Sequence, residues 1–458
     1  MTRLINKAYY AVRPYVPWRV RIGVRRWLAE RLRRENSGVW PIDERAGVKP
    51  PGWPGWPEGK QFAFVLTHDV EAKVGLAKVE RLMELDRSYG FRAAFNFVPE
   101  GNYRVADELR ARLEAAGFEV GVHGLKHDGR LFVSKAHFAM EAEQIREYVK
   151  KWAARGFRSP LMHHNLAWMH MIGTEYDAST FDTDPFEPES DGVGTIFPFW
   201  VAAPDGGGYV ELPYTLAQDF TLFTILQERS IDVWKRKLDW IAECGGMALL
   251  NTHPDYMCFD GQPAQGEASV KMYEEFLRYA RERYGGVFWE ALPCEVARYY
   301  RAEVAEGARN SRRKICMVAG GGSEEREARQ CAGLLTRRGD WVDLITIGEA
   351  CGHEDDGNGV RVHRIEQGGG AVGRRVRAAA MLMRRHYWIR YDLVQVFGNR
   401  GQFDLATMYP KWTGIRVLAD WAKTAGPGAR DNEYLQLVDS LMTDRFSENG
   451  NGAWRERS

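Results

Sequence analysis

Phe62-Ala63-Phe64-Val65-Leu66-Thr67-His68-Asp69-Val70-Glu71 decides how the rest of the chain is read. The apolar residues 62–66 predict a buried strand, and a polar pentad follows them directly. If the backbone stays extended, Asp69 and Glu71 point the same way, because strand side chains alternate with period two. Two carboxylates on one face at a strand's end suit a base beside a metal ligand. Taken alone, the pentad fits a solvated acidic loop equally well.

Outward from this stretch, apolar strands alternate with amphipathic helices across residues 61–303. Residues 77–89 are helical by the spacing of Val79, Leu82, Met83 and Leu85. Further strands are expected at 93–97, 119–122, 208–212 and 247–251, with helices at 105–116, 137–155 and 231–244. Repeated β-then-α units imply a parallel sheet. This many units predict an α/β fold with a distorted (β/α) barrel, whose chemistry sits at the C-terminal ends of its strands. Residues 312–424 alternate again, with strands at 314–319, 341–347, 360–365, 392–397 and 416–419 and helices at 323–338 and 373–385. They form an open Rossmann-like α/β domain. The run Gly320-Gly321-Gly322 fits a tight turn and could also cradle a phosphate. Residues 1–60 are a basic helical and Pro/Trp-rich lead-in, and 425–458 a tail with a helix at 432–442.

Other polar clusters fall where strands end. His123-Gly124-Leu125-Lys126-His127 spaces two histidines to meet on one side of a helical turn and reach one ion. Arg158, in Arg158-Ser159-Pro160, is a permanent cation able to keep Asp69 ionised. Glu211-Leu212-Pro213 closes another strand. In Leu250-Asn251-Thr252-His253-Pro254, a histidine at a strand's end, pinned by proline, is placed as a general acid, or is simply satisfied by local hydrogen bonds.

Order and spacing together are more specific than any part. The sequence of 61–303 resembles the polysaccharide deacetylases, carbohydrate esterases acting on N-acetylated saccharides. Phe64 to Asp69 looks like the family's first motif, and Phe91 to Val98 like its second strand. His123 to His127 matches its paired histidines. Arg158 with Pro160, Leu212-Pro213, and Leu250 to Pro254 match its later motifs. The resemblance implies Asp69, Arg158 and His253 as catalytic, and Pro160, Leu212 and Pro213 as substrate-binding. Glu71, His123 and His127 would hold a divalent metal, zinc by the chemistry of the set. Val70 fills the slot where the common motif has its second aspartate; a variant branch places the ligand one residue later, at Glu71. Leu161 stands where an aromatic residue often follows the proline. Residues 312–424 resemble the N-terminal half of two-Rossmann-domain glycosyltransferases, on residues 325–339, Tyr391 to Phe397 and Ile415 to Asp420. A glycosyltransferase partner, or self-association through this region, is implied.

Composition narrows the function. The 458 residues carry a formal charge of +1, with no global reason to expect nucleic acid. Six scattered cysteines form no C-x-x-C pair, and no apolar run is long enough to span a bilayer. A cytoplasmic protein is expected. In residues 16–34, Val20, Val24, Trp27, Leu28 and Leu32 line one helical face beside Arg19, Arg25, Arg26, Arg33 and Arg34. Such a helix lies on an anionic membrane surface or docks on the barrel. The expected function is metal-dependent deacetylation of an amino sugar. The alternatives are a catalytically impaired scaffold subunit and a non-sugar C–N hydrolase on the same barrel.

Overall fold

The computed structural model describes residues 17–187, 191–204, 206–304, 313–348, 352–357, 359–366, 370–389, 391–397, 415–419 and 431–443. The chain divides into two compact units, one ending before residue 312 and one from there on.

The larger unit is organised by β1 (Ala63–Val70), buried along all eight residues. One edge pairs in parallel with β8 (Met247–Thr252), from Ala63↔Met247 to His68↔Thr252. The other pairs in parallel with β2 (Ala94–Phe97), from Thr67↔Ala94 to Val70↔Phe97. The sheet continues in parallel through β3 (Glu119–His123), β4 (Gly156–Arg158) and β5 (Tyr176–Asp177). Strand β7 (Gly208–Glu211) joins β5 in parallel, and β6 (Phe199–Ala202) runs antiparallel to β7. Beyond β7, Leu216 bridges Leu250 of β8, so the sheet curls round until its ends meet. The result is a distorted barrel.

Period two sorts the side chains of β1. Phe64, Leu66 and Val70 enter one core cluster, with Leu82 and Phe276; Ala63 and Val65 enter another, with Val210 and Leu249. Burying each large side chain contributes about 1.5–3 kcal/mol. Helices α1 (Trp18–Glu35), α2 (Val79–Ser88), α3 (Asp107–Ala115), α4 (Lys135–Lys151), α5 (Asp232–Cys244) and α6 (Val270–Tyr284) belong to the same unit. So does α7 (Pro293–Glu303), whose Cys294, Val296, Ala297 and Tyr300 enter the Ala63/Val65 cluster. Local chemistry sets several helix ends. The Ser134 hydroxyl accepts the His137 N–H (3.2 Å) at the start of α4, and Gly245, at φ 75°, ends α5. Helices α6 and α7 and strands β4 to β6 are not among the elements expected from sequence.

Helix α1 departs from the expectation of a single apolar face. Ile22, Ala29 and Leu32 are buried, while Val20, Val24, Trp27 and Leu28 are exposed. Arg26 Nε donates to the Thr224 carbonyl (3.0 Å), and Arg33 pairs with Glu228 at 2.8 Å. Among the described residues, no helix is long and apolar enough to cross a membrane.

The smaller unit is a parallel sheet in the order β12 (Val360–Glu366), β10 (Trp341–Gly348), β9 (Lys314–Val318), β13 (Leu393–Val396), β14 (Arg416–Ala419). Strand β11 (Gly352–Asp355) adds antiparallel to β12. Helices cover both faces. Ala328 and Leu335 of α8 (Ser323–Arg337) join Tyr434 and Val438 of α10 (Asp431–Thr443) on one side. Ala378 and Leu382 of α9 (Gly370–Ile389) cover the other. This is a doubly wound Rossmann-like sheet. In the Gly320–Gly322 turn the Gly320 N–H donates to Glu324 Oε2 (3.0 Å).

Candidate active site

Strand β1 continues to Val70, so Asp69 lies within the ladder rather than beyond it; pairing with β2 extends the strand. Asp69 is 1 % exposed. Its Oδ1 accepts from Asn96 Nδ2 and its Oδ2 from Asn251 Nδ2, each at 2.8 Å. Arg158 Nε lies 3.6 Å from Oδ1, and Arg158 Nη2 donates to Thr67 Oγ1 (3.0 Å). Burial pushes the Asp69 pKa up, but Arg158, His123, His253 and the Asn96 hydrogen bond outweigh it and hold it below the ordinary value. His68, one step along, faces the helices instead. Its ring nitrogens meet Thr252 Oγ1 (2.7 Å) and Asp86 Oδ2 (2.9 Å), so it is a satisfied core residue.

His123 ends β3, and residues 124–130 form a loop, not the helical turn expected from the four-residue spacing. Gly124, at φ 67°, makes the bend, and a Cβ there would meet the Pro160 ring at 2.5 Å. The two imidazoles are brought together with centroids 5.3 Å apart. His123 Nδ1 lies 3.1 Å from the Arg158 carbonyl, which only accepts, so that nitrogen carries the proton and Nε2 presents a lone pair. That Nε2 is buried without a hydrogen-bond partner among the described residues. His127 Nε2 lies 3.1 Å from Glu71 Oε1, and Tyr256 OH donates to Glu71 Oε2 (2.8 Å).

Ligand atoms of Glu71, His123 and His127 all lie within 4.8 Å of one another. Zinc ligands at about 2.1 Å stand roughly 3.4 Å apart in a tetrahedral shell, close to the His127–Glu71 separation. Burial pushes His123 down to about 4, which leaves it neutral at pH 7 as a ligand must be. Burial acts to raise Glu71, yet His127, His253 and His123 hold it ionised, far below the ordinary range. Donor types, spacing and the orphaned Nε2 fit a divalent ion.

His253 follows β8, with Nε2 4.0 Å from both Asp69 Oδ2 and Glu71 Oε1. Asp219, which the sequence reading does not single out, holds it twice: Nδ1 at 2.7 Å from Oδ1, and the His253 backbone N–H on Oδ2 at 2.9 Å. Burial alone would lower the imidazole, but Asp219, Glu71 and Asp69 push it up to about 10. Asp255 secures the other side. Its carboxylate accepts the backbone N–H groups of Glu71 (2.9 Å), Ala72 (2.9 Å) and Gly75 (3.2 Å).

The three residues expected to contact substrate, Pro160, Leu212 and Pro213, are all buried. Leu212 is fully buried in the core cluster of Ala63 and Val65. Pro213 is buried after β7. Pro160 is also buried, against Gly124, where it fixes the turn between Arg158 and the histidine loop. Glu211 turns away from the centre and accepts from the Thr180 N–H (3.1 Å) and hydroxyl (2.6 Å).

A glycine neighbours the Asp69 clamp. A Cβ on Gly121 would lie 2.1 Å from Asn96 Oδ1. Gly121→Ala is therefore expected to displace the Asn96 amide and cost about 1–3 kcal/mol of stability, read by thermal denaturation. An unchanged melting temperature would mean the amide has room to move.

No family model and no curated protein matches the sequence. Solved structures do. A family 4 carbohydrate esterase from Streptomyces lividans is 13 % identical over 49 % of this chain and 90 % of its own, with a TM-score of 0.30. The chitin deacetylase of the fungal pathogen Colletotrichum lindemuthianum is 14 % identical over 42 % of this chain and 86 % of its own, TM-score 0.25. Glycosyltransferase VinC is 12 % identical over 84 % of this chain and 92 % of its own, at a TM-score of 0.18.

Proposed function

We propose that the larger unit is a metal-dependent deacetylase that hydrolyses the N-acetyl group of an amino sugar. One observation carries the reading. A buried carboxylate (Asp69) and an imidazole gripped by Asp219 (His253), 4.0 Å apart at their nearest atoms, flank a Glu71/His123/His127 group suited to a divalent ion. A base, an acid and an ion together are what amide hydrolysis requires. The sugar part of the reading rests on the motif resemblance.

Glu71 Oε1, His123 Nε2 and a nitrogen of His127 would hold the ion. When bound, it supplies Lewis acidity, lowering the pKa of water and polarising a carbonyl oxygen. Asp69 takes a proton from the attacking water. Its two oxygens are fixed by amides that can only donate at those positions, and Arg158 keeps it charged. His253 gives its Nε2 proton to the amine nitrogen as the C–N bond breaks. Asp219 holds that ring in the required tautomer and favours its charged form. The products are acetate and an amino sugar.

The test is acetate release from N-acetylhexosamine oligosaccharides by zinc- or cobalt-loaded protein, abolished by a chelator. Metal-loaded protein that releases no acetate from sugars but hydrolyses small ring amides would move the reading to a non-sugar C–N hydrolase. A further outcome concerns pH. Asp219→Asn keeps an acceptor for Nδ1–H but removes the main influence raising His253. Its pKa then falls, and the protonated acid is lost as pH rises through the lower value. The alkaline limb of kcat/KM should move down by more than about one unit, since one unit corresponds to 1.36 kcal/mol of lost interaction. An unmoved limb would remove His253 as the acid.

A further inference from the structure

We propose that the outward face of α1 is a docking surface for an anionic lipid bilayer. The helix is amphipathic twice over. Ile22, Ala29 and Leu32 fasten it to the larger unit, with Arg26 and Arg33 tied to Thr224 and Glu228. Val20 (53 % exposed), Val24 (59 %), Trp27 (66 %) and Leu28 (41 %) remain outside. At steps of four, three and one they share one helical face. Four large apolar side chains in one stripe are more than isolated exposed hydrophobics on a monomer's surface.

Charge selects the occupant. Residues 1–34 contain ten Lys or Arg and one acid, Glu30. The whole chain has 63 basic and 62 acidic residues, so 53 basic and 61 acidic side chains remain in the rest. Seven of the ten, at positions 19, 21, 25, 26, 31, 33 and 34, lie on α1, so a nearly neutral protein concentrates positive charge at the helix that carries the exposed stripe. Arg31 and Arg34 flank the stripe, paired along the helix with Glu35 (3.1 Å) and Glu30 (3.7 Å). Exposed apolar side chains that include a tryptophan, with arginines beside them on the same helix, are the chemistry of an interfacial helix. Nucleic acid would use the arginines but leave the apolar stripe in water.

The surface is connected to the candidate active site. Arg25 lies over the Phe220 ring at 5.3 Å, and Phe220 packs on Tyr256 at 4.6 Å, whose hydroxyl holds Glu71. Phe220 also directly follows Asp219, the partner of His253. Lipid bound outside α1 would lie about one helix diameter, roughly 10 Å, from that wall.

The test uses the full chain and sedimentation with vesicles of phosphatidylcholine, alone or with about one-third phosphatidylglycerol, at about 0.1 M salt. Binding is expected to the anionic vesicles only. Val24→Asp/Trp27→Asp, at two exposed positions, should lower partitioning at least about tenfold with an unchanged melting temperature. Absence of binding to anionic vesicles overturns the proposal, as does equal binding by the double variant. A dimer in light scattering that the double variant abolishes, with no vesicle binding, would assign the face to a second copy instead. Vesicle binding needs no catalysis, so the docking surface and the deacetylase reading fail independently.

Discussion

Asp69→Asn is expected to lower kcat by about 10²–10⁴, the range for loss of a general base, while bound metal stays at the wild-type level. The carboxylate is not in the Glu71/His123/His127 group, so the ion should not need it. The substitution removes the negative charge and turns one acceptor into a donor. Asn96 and Asn251 both donate to Asp69, so an asparagine there sets one amide donor against another inside a buried pocket. That mismatch should cost about 1–3 kcal/mol of stability. Rates must therefore be compared well below the variant's melting temperature, beside its metal content. A variant that loses the ion and keeps its folded stability would make Asp69 a ligand.

His123→Ala/His127→Ala is expected to abolish bound metal, and with it acetate release, in a protein that still folds. Both side chains extend from the end of β3 and the loop after it, and His123 Nε2 contributes no hydrogen bond to the fold among the described residues. Glu71→Ala should weaken metal binding in the same sense. Full metal occupancy in the double histidine variant would end the assignment. Metal loss in Asp69→Asn with retention in Glu71→Ala would reverse the roles of base and ligand on β1. Metal analysis after dialysis reads both.

Alternation was the most reliable signal in the sequence, because β1 stays regular through Val70. The same period two that sends Phe64 and Leu66 to one core and Ala63 and Val65 to the other also aligns Asp69 with Glu71. The histidine spacing brings His123 and His127 together as expected, but the four-residue step is closed by a loop bent at Gly124, not by helix. Asn96 and Asn251 sit mid-strand in Phe95-Asn96-Phe97 and Leu250-Asn251-Thr252, and a buried amide amid apolar residues needs a partner. That signal was present, although it does not say which partner. Asp219 carries a similar mark in Leu216-Ala217-Gln218-Asp219-Phe220, but it lies 34 residues from the imidazole it grips, and nothing in the sequence links the two. Strands β4 and β5, three and two residues long, are too short for periodicity to register.

The one-residue separation of Asp69 and Glu71 has a mechanical consequence. Adjacent carboxylates on a regular strand would face opposite ways, so a base and a ligand in neighbouring positions require the backbone to break its pleat. With Val70 between them the pleat is kept through Val70, whose side chain is buried in the core and whose carbonyl accepts the Tyr103 hydroxyl. Asp255 then grips the three N–H groups of the turn that follows. The base near the end of the strand and the ligand one step beyond it are thereby held by one short stretch of fixed backbone. Thermal motion should carry the two carboxylates together, in phase, so fluctuations of the surrounding loops alter the way in to the centre more than the spacing inside it.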